Sequence, residues 1–386
     1  MAPRVVIAPQ GFKECLDAVD VAEAIADGVR LARPAAETVL CPVADGGEGT
    51  VAALLSTGAW EARRSRVTGP CGTPIVATWA RQRDGTAAAI EMAAAAGLAL
   101  VPREARDPGR MTTAGVGELV RCAVDDGARR LLIGAGGSAS CDGGAGLLQV
   151  LGAVFHEAGG AITVPVTGAH LAGLVRIEIG ALGRPPLAGL QVEVLCDVDN
   201  PLHGPSGAAS VYAPQKGSTP EQVEALDRGL RRLAACFPAV DPEVPGSGAG
   251  GGVGFGLAAA VGARLERGAE RLLEALGVAD LVRGADLVLT GEGRLDAQTA
   301  RGKAPYAVAV VARRAGVPAV ALVGQAAGGA EALVPEPLAG WVALGAGDVV
   351  PTTLDPGRTR EALRRAAATA VRRWLGGWRP HGPAGA

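Results

Sequence analysis

The sequence predicts an α/β protein: one doubly wound domain built from both ends of the chain, with a mixed α/β domain inserted between them. Three observations carry this. Near both ends, apolar strand-like runs alternate with helical periods. In the middle, short apolar runs are broken by Gly-Pro and Asp-Gly turn pairs. The chain has 386 residues, 48% apolar and 20% charged, which is enough for two domains with sizeable cores and excludes intrinsic disorder.

The elements follow in order. Arg4 to Ala8 reads as a buried strand. Ala18 to Ala32 reads as a helix, with Val21, Ala24, Ile25, Val29 and Ala32 on its apolar face. Glu37 to Val43 is a second strand, completing a βαβ unit. Arg63 to Val67, Pro74 to Arg81 and Ala87 to Met92 then form a meander rather than a parallel crossover. Leu131 to Gly134 and Val192 to Asp197 are further strands, and the Gly-rich stretch Gly246 to Gly256 leads into a helix near Leu257 to Gly262. Strict alternation returns with strand Asp286 to Thr290, helix Tyr306 to Ala315, and strands Ala319 to Val323 and Trp341 to Leu344. Arg358 to Leu375 is a closing amphipathic helix, and Pro380 to Ala386 a loose tail. Boundaries near 62 and 268 assign 1–62 plus 268–386 to the doubly wound domain and 63–267 to the insert.

Composition removes several function classes. A formal net charge of −2 with 3% aromatic residues lacks both the basic surplus and the stacking rings of a nucleic-acid binder. The opening apolar run is too short for a signal peptide. The most apolar stretch, Ala87 to Val101, is too short to span a bilayer and carries Glu91. Seven scattered cysteines without a CxxC pair point to a reduced, cytoplasmic protein with no zinc site. Glycine is in excess, at 58 residues, and has no collagen period, so it is concentrated in loops where backbone approaches something closely. Of 37 basic residues only Lys13, Lys216 and Lys303 are lysines, each in a loop-like motif. A compact ammonium suits phosphate or carboxylate where the flat guanidinium fits poorly.

Five polar, mostly Gly-rich segments carry the chemistry, most of them after a predicted strand, where open α/β sheets bind ligands. They are Pro9 to Lys13, Ala44 to Thr50 (with Asp45, Gly46, Gly47 and Glu48), Gly134 to Gly146, Cys196 to Pro201, and Thr290 to Lys303. The third offers backbone N–H groups around Gly136, Gly137 and Ser138 that suit phosphate oxygens. Its GxGxxA spacing, with Glu157 further on, is also a weak dinucleotide fingerprint, against which Asp142 counts. The fourth holds Asp197, Asp199 and Asn200, the only asparagine; alternate residues of an extended segment put the two acids on one face. In the fifth, Gly291, Glu292, Gly293 and Asp296 precede Lys303. Acids for Mg2+, a lysine for phosphate charge and glycines for close approach are what phosphoryl transfer requires. No Ser-His-Asp arrangement emerges.

These segments, in this order, resemble the type-1 glycerate kinases, ATP-dependent enzymes that phosphorylate D-glycerate. The likeness runs from Arg4 to about Val323 through VADGGEGT (Val43 to Thr50), VTGPCGTP (Val67 to Pro74), EMAAAAG (Glu91 to Gly97), GGSASCDGGAG (Gly136 to Gly146), CDVDNP (Cys196 to Pro201), PQKG (Pro214 to Gly217) and TGEGRLDAQTARGK (Thr290 to Lys303). The resemblance implies a flavodoxin-like domain with an inserted mixed α/β domain, Mg2+ and ATP, and 2-phosphoglycerate as product. It makes Asp197 the base, with Lys13 and Asp296 as further catalytic candidates. Glu292 and Asp296 become candidates for Mg2+, and Gly136, Gly137, Ser138, Gly291, Glu292, Gly293 and Lys303 for the nucleotide. Asp45, Gly46, Gly47, Glu48 and Asn200 fall to the acceptor, a small hydroxy acid. The sequence departs from the family pattern at Gln10, Gly11, Ala96, Val116, Cys141 and Gln325. Those changes leave open a kinase of a related hydroxy acid, a weak nucleotide-binding regulator, and, from the GxGxxA spacing, a nicotinamide-dependent oxidoreductase. No membrane partner is expected, and a homo-oligomer stays open.

Overall fold

The computed structural model describes residues 2–12, 15–184, 186–296, 299, 302–344 and 355–375. Lys13 and the expected tail Pro380 to Ala386 lie outside the described residues. Among them run fourteen strands: β1 Arg4–Ile7, β2 Glu37–Leu40, β3 Trp60–Thr68, β4 Pro74–Gln82, β5 Ala87–Glu91, β6 Arg130–Gly134, β7 Val154–Glu157, β8 Gly160–Ala161, β9 Leu174–Glu178, β10 Gln191–Cys196, β11 Arg264–Arg267, β12 Leu287–Leu295, β13 Ala319–Ala326 and β14 Gly340–Ala343. The chain forms two compact units, and none of the described helices is long and apolar enough to cross a membrane.

The first unit comprises Met1–Asp45, Ala52–Thr57 and Ala269–Ala386. Its five strands are all parallel, in the order β14-β13-β12-β1-β2. The chain moves outward from β1 to β2 and then returns to the other side of β1 with β12. The strand order therefore reverses between β1 and β12, which is where doubly wound sheets open toward a ligand. Helix Ala18–Ala32 matches the expected span. It begins at Asp17, whose carboxylate accepts the Asp20 N–H at 2.8 Å, and it packs with the closing helix Pro356–Trp374 in one core with Val5, Ile7, Leu287, Leu289, Val320 and Leu322. The alternate residues Val6, Val288, Ala319, Ala321 and Val323 are equally buried, as expected for strands covered on both faces.

The sequence expectation fails at β12. Thr290 to Arg294, read as a Gly-rich loop, continues the strand to Leu295 alongside β13, with Glu292 opposite Val323 and Arg294 opposite Gln325. The cause is Gly291. A Cβ there would stand 2.3 Å from the Leu322 carbonyl, so only glycine lets the two backbones pair this closely.

The second unit comprises Gly46–Val51 and Gly58–Gly268. Its six-stranded sheet has the order β11-β10-β6-β5-β4-β3. The expected meander holds for β3-β4-β5, and from β5 through β6 and β10 to β11 the pairing is parallel, so the sheet is mixed. The helix after the third Gly-rich segment is present as Ala145–Leu151, and two helices absent from the sequence reading, Ala114–Asp125 and Pro220–Ala235, lie in this unit. The last had a legible start, since Thr219 and Gln222 form a reciprocal capping box ahead of Pro220. A small antiparallel sheet, β8-β7-β9, completes the unit.

Candidate active site

In the first unit the candidate residues gather at the strand C-termini around the switch point. Thr290 Oγ1 donates to the Ala8 carbonyl at 2.8 Å, and the Gln10 N–H donates to the Gly291 carbonyl at 2.9 Å, so the segment after β1 runs beside the β12 extension. Glu292 is buried there. It accepts from Thr299 Oγ1 at 2.6 Å, and Lys303 Nζ stands 3.8 Å from its other oxygen. Burial pushes the Glu292 carboxyl up to about 7; Thr299 and Lys303 pull it down, while Asp296 and Asp45 raise it further. Three carboxylates and one ammonium thus share one electrostatic neighbourhood. Asp296 is held by Arg294 Nε at 3.2 Å. Of the two candidate glycines, Gly291 is required for strand pairing. Among the described residues, a Cβ on Gly293 would meet nothing nearer than the Phe12 ring at 4.0 Å.

In the second unit the candidates line the C-terminal edge of the parallel strands, with the Gly46–Val51 segment packed on them. A Cβ on Gly134 would meet the Gly46 carbonyl at 2.5 Å, and one on Gly136 would meet Gly47 Cα at 2.7 Å. The glycines of these two motifs are therefore required for loop-on-loop contact as well as for any ligand. Glu91, at the end of β5, accepts the Val51 N–H at 2.7 Å and fixes the segment carrying Glu48, which is exposed. Burial raises the Glu91 carboxyl and that hydrogen bond opposes the rise. In the sequence Glu91 opens the EMAAAAG motif, where its signal is a lone acid at the end of an apolar strand.

The loop after β6 is tied on both sides. The Leu98 N–H donates to the Gly137 carbonyl and the Ala139 N–H to the Ala96 carbonyl, each at 2.8 Å. Asp142 is fully buried and takes four donors: Thr113 N–H at 3.0 Å, Thr113 Oγ1 at 2.7 Å, and the N–H groups of Gly144 and Gly146 at 3.2 Å. Burial raises its carboxyl and the Thr113 hydrogen bonds oppose this most strongly. Lys216, also buried, donates to Ser138 Oγ at 2.6 Å and to the Ser140 carbonyl at 2.8 Å.

At the end of β10 the two acids differ in exposure. Asp197 is half-buried, whereas Asp199 is exposed and turned to Arg267 at 3.2 Å. Asn200 organises its own loop: its Nδ2 donates to the Ser206 carbonyl at 2.7 Å, and its Oδ1 accepts from the Tyr212 hydroxyl at 2.6 Å. Among the described residues no cluster of three or more His, Cys, Asp or Glu side chains is placed to hold a metal. The nicotinamide alternative loses its structural basis. After β6 and helix Ala145–Leu151 the chain enters β7 of the separate antiparallel sheet, so the GxGxxA segment does not open a parallel βαβ unit and Glu157 is not on a neighbouring parallel strand.

Of the six departures, Ala96, Val116 and Cys141 are fully buried in one hydrophobic core. Cys141, its thiol pushed up to about 12 by burial, is inert. Gln10 and Gly11 are half-buried and Gln325 is exposed, all in the first unit.

Comparisons with other proteins give the class. The chain is 43% identical over 325 residues to glycerate kinase of Bacillus subtilis (strain 168), covering 83% of this chain and 85% of the relative. It is 44% identical over 325 residues to glycerate 2-kinase of Escherichia coli (strain K12), with the same coverage. A crystal structure assigned provisionally as glycerate kinase 2 from Salmonella typhimurium LT2 superposes with a TM-score of 0.83 at 40% identity, covering 98% of this chain and 99% of that one. The chain is a kinase. Residues 5–375 match the glycerate kinase family model, and the chain belongs to that family.

Proposed function

We propose that the chain transfers the γ-phosphoryl group of ATP to a hydroxyl of D-glycerate, giving 2-phosphoglycerate. The observation that carries this is the gathering of Asp45, Glu292, Asp296 and Lys303 at the switch-point end of β12. The names of the relatives support the acceptor, and that of the Escherichia coli relative supports the position of transfer. Three departures from the family pattern sit in a packed core and not at a polar surface, which favours the family's usual acceptor over a retuned one.

Roles follow from chemistry. Asp197 accepts the proton of the acceptor hydroxyl, whose oxygen then bonds to the γ-phosphorus as the bond to ADP breaks. The divalent ion fits the donor set of the first unit, because Mg2+ uses one or two carboxylates together with phosphate oxygens and water. Glu292 and Asp296 would hold it, and when bound it neutralises phosphate charge. Lys303 meets the remaining phosphate charge, aided by its place at the start of helix Ala304–Arg314. Gly293 admits the phosphates, and the Gly136–Ser138 amides contribute donors. Lys13 and Asp45 orient the acceptor's carboxylate and hydroxyls, with Gly46, Gly47 and Glu48 shaping that segment. Positioning and charge neutralisation supply most of the rate, since phosphoryl transfer asks little covalent work of the protein.

The test is Mg2+-dependent ADP release from ATP with D-glycerate and a panel of small hydroxy acids, with 31P NMR of the product. Saturable release with D-glycerate and a C2 phosphate ester is expected. Release only with another acid would mean a retuned acceptor site. ATP binding without release from any acceptor would mean a regulator.

A further inference from the structure

Lys216 belongs to none of the roles above, yet its environment is unusual. An ammonium with 5% of the residue exposed is costly to bury, and such groups normally meet a carboxylate. Among the described residues none stands within ion-pairing distance of Lys216. Its partners are two neutral oxygens, Ser138 Oγ at 2.6 Å and the Ser140 carbonyl at 2.8 Å. Both belong to the loop that follows β6, and Lys216 itself lies in the single-turn helix Pro214–Lys216. The cation is therefore built into the loop and does not serve the surface.

A charged lysine has three donors and no acceptor, so Ser138 Oγ must accept from it. The hydroxyl's own proton then points away from Lys216 and is left to donate elsewhere. Ser138 adjoins Gly136 and Gly137, whose backbone N–H groups are the other donors of this loop, and a serine at this place adds one more donor of the same kind.

We infer that Lys216 is a positioning residue: through its hydrogen bond it turns the Ser138 hydroxyl into an outward donor to the phosphate oxygens of the bound nucleotide. This rests on the proposed use of ATP. Lys216 acts through Ser138 and does not itself touch the phosphate.

The same geometry gives a pH signature. A neutral amine has a lone pair and can accept the Ser138 proton, turning it inward. Burial lowers the Lys216 ammonium to about 8, opposed by Cys141 and Asp142, the titratable groups facing it. The outward donor is thus present below pH 8 and fades above it.

The experiment measures KM for ATP, kcat and ADP affinity in the wild type, Lys216→Met, Ser138→Ala and the double variant, between pH 6.5 and 9.5. At pH 7, Ser138→Ala is expected to raise KM for ATP and weaken ADP binding about tenfold, with kcat changed less. Lys216→Met should do the same, and the double variant should be no worse than Ser138→Ala within about twofold, because the two residues form one unit. Wild-type ADP affinity should fall above pH 8, while that of Ser138→Ala should stay flat. If Lys216→Met does not fold, Ser138→Ala and the wild-type pH profile decide. Unchanged nucleotide affinity in Ser138→Ala, or losses that add in the double variant, would overturn the inference while leaving the kinase assignment standing. A wild type that binds no nucleotide would overturn both.

Discussion

Asp142 gives the sharpest stability prediction. Truncation by Asp142→Ala strands three backbone donors, the N–H groups of Thr113, Gly144 and Gly146, and removes the acceptor for the Thr113 hydroxyl. A buried donor left unpaired costs about 1–3 kcal/mol, so three amides alone amount to roughly 3–9 kcal/mol. Against this, truncation returns the desolvation cost of a buried carboxylate, the same cost that raises its pKa. The balance is a loss of about 3 kcal/mol. For a unit of this size that lowers Tm by about 6–12 °C. Asp142→Asn keeps an oxygen for the three donors clustered on Oδ2 but turns an NH2 toward Gly144, and should recover about half of the loss. Urea melts followed by circular dichroism give both numbers, with nucleotide binding measured alongside. A loss under 1 kcal/mol in Asp142→Ala, or an Asn variant as unstable as Ala, would refute the account of Asp142 as the acceptor that organises this loop.

Further outcomes follow from the same contacts. Gly136→Ala places a methyl 2.7 Å from Gly47 Cα and should cost about 1–3 kcal/mol, read from the urea midpoint; an unchanged midpoint would mean the two segments do not pack. Glu292, with its carboxyl near 7 against an ordinary 4.5, holds its proton longer in the folded state than in the unfolded one. Its stabilising contribution is full below about 4.5 and is lost as pH rises through 7, so ligand-free Glu292→Gln should show a flatter dependence of urea midpoint between pH 5 and 8 than the wild type. Iodoacetamide on the native protein should label exposed Cys71 well before Cys141, whose modification, followed by mass spectrometry, should require unfolding.

Much of the fold was legible because its pattern is local. Helix Ala18–Ala32 combines a helical apolar period with an Asp cap, and β1, β13 and β14 are short apolar runs between turns. The extension of β12 was not legible. Gly291, Glu292 and Gly293 have weak strand preference by themselves, and their conformation is set by pairing with β13, some thirty residues further on. The parallel run β5-β6-β10-β11 was hidden for a related reason: adjacency across a sheet is a long-range property that no window of sequence displays. At the candidate site, residue types marked out segments but not the packing roles their residues also fill. Gly136 and Gly291 read as phosphate glycines, yet both are required for backbone packing. Asn200 read as a ligand group and also holds its own loop. Lys216 stood out by the scarcity of lysine, but only the folded chain reveals that it faces Ser138.

In the proposed mechanism Asp197 takes the proton from the hydroxyl of the acceptor. Steady-state kinetics of Asp197→Asn with ATP and D-glycerate test it most directly, because the amide keeps the shape of the side chain and removes the base. The expected result is a fall in kcat of roughly 10²–10⁴-fold with KM for ATP within about twofold of wild type. Equal losses in turnover and nucleotide affinity, or turnover near wild type, would contradict it.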